Sequence, residues 1–96
     1  MSPQKRKKLS KIRLELDKID NSLIKIIKKR TFLVKKVLKL KDRKNQIVDQ
    51  KRIKSILDNI RKKSLKNKID PRITNRIWKN MIWSYIDYER RNFKKK

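Results

Sequence analysis

Arg30 stands where a leucine belongs. Around it Leu9, Ile12, Leu16, Ile19, Leu23, Ile26, Leu33, Val37 and Leu40 follow one another in alternating steps of three and four once Arg30 is counted in the series. That is the period of one helix face, so a guanidinium interrupts an otherwise apolar seam. Lys41 comes eleven residues later, about three turns, and returns to nearly the same face roughly 16 Å along the axis. Two long cationic side chains so placed can grip a small anion from both ends. Arg13 lies seventeen residues before Arg30, too far to share that anion within one helix. If two copies pack antiparallel about a point near Ile26 and Ile27, Arg13 of one chain falls opposite Lys41 of the other, and the site is built from both. The competing reading makes Arg30 a seam arginine paired with Asp17 or Asp20 of a partner, fixing register at a cost in stability.

A second polar residue breaks an apolar stripe near the other end of the chain. Trp78, Ile82, Tyr85 and Glu89 are separated by steps of four, three and four. Burial there favours the uncharged acid form of Glu89; a salt bridge toward Arg90 or to a lysine of the first helix is the other setting for it. Asp49 and Arg52, before a third apolar pattern, read on their own as ordinary surface charges.

Composition narrows the chemistry. The 96 residues include no His, no Cys and no Gly, which removes the usual acid–base side chain, the thiolate nucleophile and the commonest metal ligands. We therefore expect no metal and no cofactor, and a site that works with cations, carboxylates and binding geometry. A net charge of +24, from 33 Lys+Arg against 9 Asp+Glu, makes polyanions and small anionic metabolites the first partners to consider. The same excess is also what a lysine-rich proteome would impose on any of its proteins. No apolar run is long enough for a membrane span, and the basic start lacks the apolar stretch of a signal peptide, so a soluble cytoplasmic protein is expected.

The elements that must position these residues are helical. Ser2-Pro3 marks a helix start, and the seam runs unbroken to a polar connection at 42–48, a helix of roughly 35 to 40 residues or about 55 Å. It is too long for the rest of the chain to cover its stripe, which implies a second copy, most simply antiparallel. Asp49 caps a second helix with Ile53, Ile56, Leu57 and Ile60 on one face, fraying near Asn67. In "KNKIDPR", Asp70 as N-cap and Pro71 at the first helical position open a third. Its buried side is expected to carry Ile73, Ile77, Trp78, Met81, Ile82, Tyr85 and Ile86. The expectation is an all-α protein: a single domain over 1–96 with basic tails at about 1–8 and 90–96, whose three-helix protomers (long, short, medium) form an intertwined antiparallel homodimer.

The segments "IRLELDKIDNSLIKIIKKRTFLVKKVLKLK", "IVDQKRI" and "KIDPRITNRIWKNMIWSYIDYE" together resemble the small all-helical chorismate mutases along almost the whole chain. The likeness rests on order and spacing. It implies a dimer with two shared active sites that convert chorismate, a dianion, to prephenate for Phe and Tyr synthesis. Position by position, Arg13 matches the arginine donated across the dimer to one substrate carboxylate and Arg30 the arginine that holds the other. Lys41 matches the donor to the ether oxygen of the breaking bond. Asp49 matches the aspartate facing the ring hydroxyl, and Arg52 the arginine near the ligand's carboxylate region. Glu89 stands where many members have a glutamine, a second donor to that oxygen, and can replace it only when protonated. The reaction needs no nucleophile, metal or proton shuttle: the arm is held over the ring and charge on the ether oxygen is stabilised.

Two positions depart from that pattern. Ile53 stands where these mutases usually place a glutamate, and Tyr85 where a serine is common. Both also resemble the isochorismate pyruvate-lyases of the same fold, which release salicylate and pyruvate, so that activity is the alternative. Remoter readings are a basic helical protein on nucleic acid and a purely structural helical dimer. Against the first, the basic residues are spread around all three helices with no recognition helix, and no specific nucleic-acid partner is expected.

Overall fold

The computed structural model describes residues 1–95; Lys96, the last residue of the basic tail, lies outside the described residues. The described chain is all helical: α1 spans Pro3–Leu40, α2 spans Gln50–Lys66 and α3 spans Pro71–Asn92, with one 3₁₀ turn at Lys44–Gln46 between α1 and α2. No described helix is long and apolar enough to cross a membrane. The chain divides into two compact units, one ending at Leu33 and the other beginning at Val34.

Each helix starts on a residue able to satisfy its free N–H groups. Ser2 Oγ accepts the Lys5 N–H at 3.2 Å ahead of Pro3. Asp49 Oδ1 accepts the Arg52 N–H at 3.0 Å, and Asp70 Oδ1 the Arg72 N–H at 2.9 Å. The end of α2 is less expected in a chain without glycine. Lys68 takes the left-handed conformation (φ 57°), its N–H donates to Leu65 O (3.2 Å), and Ile69 N–H donates to Ser64 O (2.9 Å). This is a Schellman ending, in which glycine is the usual occupant because a Cβ is disfavoured there.

The first unit is a single helix, the part of α1 up to Leu33. No residue of α1 is buried, and the seam residues Ile12, Leu16, Ile19, Leu23, Ile26 and Leu33 are each between 48% and 58% exposed.

In the second unit α2 packs against α3. The core holds Ile47, Ile82 and Ile86, with Val48, Ile53, Ile56, Leu57 and Phe93 packed against it. Ser64 and Thr74, both buried, face each other across the two helices with Oγ and Oγ1 2.6 Å apart. Neither hydroxyl is therefore left unsatisfied inside.

Two expectations need correction. Ile73 and Ile77, placed on the buried side of α3, are 55% and 52% exposed in the single chain; Ile82 and Ile86, expected on the same side, are the apolar residues the helix buries. The connection at 42–48 is not wholly polar in character, since Ile47, at 3% exposed, is one of the three buried apolar residues.

Candidate functional site

The site grows from the place where α1 stops. The helix ends at Leu40, so Lys41 is the first residue past it and not, as its spacing suggested, a member of the helix face. Its N–H still donates to Leu38 O at 3.1 Å, a last tightened turn. The next residues double back. Gln46 Oε1 accepts the N–H groups of Asp42 (2.7 Å) and Arg43 (2.9 Å), closing the connection before Ile47 enters the core.

This brings the Lys41 ammonium to Glu89. Lys41 Nζ donates to Glu89 Oε1 at 3.0 Å and to Oε2 at 3.3 Å, and lies 3.5 Å from the carbonyl oxygen of Ile47. The pair is largely withdrawn from water: the two side chains are 18% and 7% exposed. Of the settings anticipated for Glu89, a salt bridge to a lysine is present, although Lys41 is the first residue past α1 and not a lysine within it. A buried carboxylate is costly unless such a counter-ion accompanies it, and the attraction between the two is correspondingly strong in that surrounding. Chemically, the pair offers an ammonium with donor capacity beyond its carboxylate partner.

The other residues singled out in the second unit sit around the same elements. Asp49 and Arg52 are exposed at the head of α2, and Asp49 already serves as its cap. Tyr85 is half-buried on α3, one turn before Glu89. Ile53 packs against the core, as does Val48. The two flank the Asp49 cap at the positions of a hydrophobic staple, so packing alone accounts for an apolar residue after Arg52. Arg13 and Arg30 belong to the first unit; Arg13 is exposed and Arg30 half-buried.

Sequence reasoning missed Gln46 and Ile47, which shape the Lys41 connection. Ile47-Val48 ahead of the Asp49 cap was the available signal. A surface cleft of about 250 Å³ between α2 and α3 is lined by Asp58, Arg61, Arg72 and Thr74 among others, and none of the residues proposed for chemistry lines it. Among the described residues, no group of three or more His, Cys, Asp or Glu is placed to hold a metal ion.

The family model for chorismate mutase type II matches residues 12–90. The chain belongs to the chorismate mutase type II family. Family membership makes it an isomerase. A chorismate mutase of Methanocaldococcus jannaschii is 37% identical over 76 residues, covering 78% of this chain and 77% of that relative. No solved structure matches the chain. The part matched by the chorismate mutase model includes Arg13, Arg30, Lys41, Asp49, Arg52, Ile53, Tyr85 and Glu89.

Proposed function

We propose that this chorismate mutase family member rearranges chorismate to prephenate in the cytoplasm, as a single-domain protomer of an antiparallel homodimer, for the synthesis of Phe and Tyr. The observation that carries the mechanism is the buried pairing of Lys41 with Glu89 at 3.0 Å. Lys41 donates to the ether oxygen as the C–O bond breaks, and Glu89, its partner in the ion pair, gives the second hydrogen bond when it carries a proton. Both interactions strengthen as negative charge grows on that oxygen, so they lower the barrier and not merely the energy of the bound substrate.

Arg30 holds one carboxylate of the dianion, and Arg13 of the second copy holds the other. Arg52 adds positive charge near the carboxylates. Asp49 faces the ring hydroxyl, and Ile53 and Tyr85 border the ring. Fixing both ends of the substrate folds the enolpyruvyl arm over the ring, which removes much of the entropic part of the barrier. The dimer is supported by the uncovered seam on α1, which a second copy of the same helix would bury. No cofactor is needed for a rearrangement of this kind.

The test is to incubate the purified protein separately with chorismate and isochorismate, following prephenate in one and salicylate with pyruvate in the other. Prephenate is the expected product. Dominant salicylate would assign the chain to isochorismate cleavage, with Ile53 and Tyr85 as the residues that separate the two activities. Silence on both would return Arg30 and Glu89 to structural roles.

A further inference from the structure

The segment that carries Lys41 is short and is closed by one side chain. Gln46 Oε1 accepts two consecutive N–H groups, those of Asp42 at 2.7 Å and Arg43 at 2.9 Å. Gln46 N–H in turn donates to Arg43 O at 3.1 Å, and Ile47 N–H to Lys44 O at 3.2 Å. Five residues after Lys41 the backbone is thus folded back on itself. At the far side of this turn Ile47 is anchored in the core at 3% exposed, and its carbonyl lies 3.5 Å from Lys41 Nζ. At the near side the Lys41 N–H is tied to Leu38 O. Lys41 is therefore held between a helix end and a core anchor, with Gln46 joining the two.

This matters because a lysine is a poor instrument of orientation by itself. Its ammonium rides on a flexible stem that loses much rotamer freedom when it is held in one place. A misplacement of the order of 1 Å at a reacting atom costs about 100-fold in rate. Some part of the chain must supply the precision, and Gln46, whose side chain closes the turn after Lys41 as its capping residue, is placed to do so. Gln46 is exposed, so without it the Asp42 and Arg43 N–H groups turn to water at little cost in global stability.

We propose that Gln46 is a positioning residue for the rearrangement: its side-chain carbonyl fixes the connection so that the Lys41 ammonium meets the ether oxygen in one orientation. This rests on the reading of Lys41 given above. The role belongs to the acceptor oxygen, not to the amide NH₂, which makes the conservative variant informative. A glutamate is of the same length and keeps an acceptor at the same place.

The experiment measures steady-state kinetics with chorismate and thermal unfolding for wild type, Gln46→Ala, Gln46→Glu and Lys41→Ala. Gln46→Ala is expected to lower kcat about tenfold with KM changed less than about twofold, because an interaction realised in the transition state is disturbed. Its melting temperature should stay near that of wild type, and Gln46→Glu should restore most of the lost kcat. Wild-type kcat in Gln46→Ala beside an inactive Lys41→Ala overturns the positioning role and leaves the reading of Lys41 intact. Undiminished activity in Lys41→Ala overturns that reading itself. A loss in Gln46→Ala that follows its melting temperature, with no recovery in Gln46→Glu, shows a merely structural contact and also overturns the proposal.

Discussion

Lys41 Nζ reaches both carboxyl oxygens of Glu89, at 3.0 and 3.3 Å, with Glu89 only 5% exposed. The pair joins the connection after α1 to the last turns of α3, and in the proposed mechanism the same contact also serves the chemistry. On the proposed mechanism Lys41→Ala removes the cation from the ether oxygen, and it also leaves the buried Glu89 without its counter-ion. The rate should fall by about 10²- to 10³-fold, and the melting temperature should fall with it. Adding Glu89→Gln removes the stranded charge but restores no cation. The double variant should therefore recover part of the lost melting temperature and none of the lost rate. Recovery of both together would place the pair in folding alone.

Glu89→Gln separates two roles for Glu89. A glutamine keeps a donor for the ether oxygen but is no counter-ion for Lys41, so the proposed mechanism expects Glu89→Gln to keep kcat within about tenfold of wild type and Glu89→Ala, which has no donor, to lose about 10²- to 10³-fold. Steady-state rates of the two variants with chorismate decide the matter. Equal losses in both would mean that Glu89 acts only as the counter-ion of Lys41.

Much of this was legible in the residue pattern, for identifiable reasons. Ser2-Pro3, Asp49 and Asp70-Pro71 carry the chemistry of helix starts, and all three helices begin at them. The burial of Glu89 followed from its place in the rhythm of Trp78, Ile82 and Tyr85. The helix end at Leu40 was not legible, because an apolar period says little about the last residue of a helix, and Lys41 falls one step beyond it. Ile47 was hidden in a stretch with no period. The work of Gln46 was invisible for a different reason: its partners are backbone N–H groups, which leave no trace in residue type. Lys68 was hidden because a left-handed turn made without glycine has no composition to announce it.

Acid stability should depend on Asp70. Its carboxylate accepts the Arg72 N–H at 2.9 Å and the Arg72 guanidinium through Nη2 at 3.0 Å. The Arg72 side chain first, and its backbone N–H second, hold the Asp70 carboxyl below its ordinary value of 3.8, with a small opposing effect of burial. A folded-state value lowered below the unfolded one means that the unfolded chain takes up the proton more readily. The stabilisation of the α3 start is then complete above the ordinary aspartate range and disappears as pH falls through the lowered value. Asp70→Ala should accordingly melt below wild type at neutral pH, and the gap should narrow once pH drops below about 4. Comparing the two proteins at each pH cancels the self-repulsion of a highly basic chain, which destabilises both alike. Added salt at neutral pH should shrink the same gap, since Arg72 is almost fully exposed and its charge is screened. A gap that stays constant from neutral to acid pH would assign the effect of Asp70→Ala to the lost backbone cap alone and remove the ion pair with Arg72 from the stability of α3.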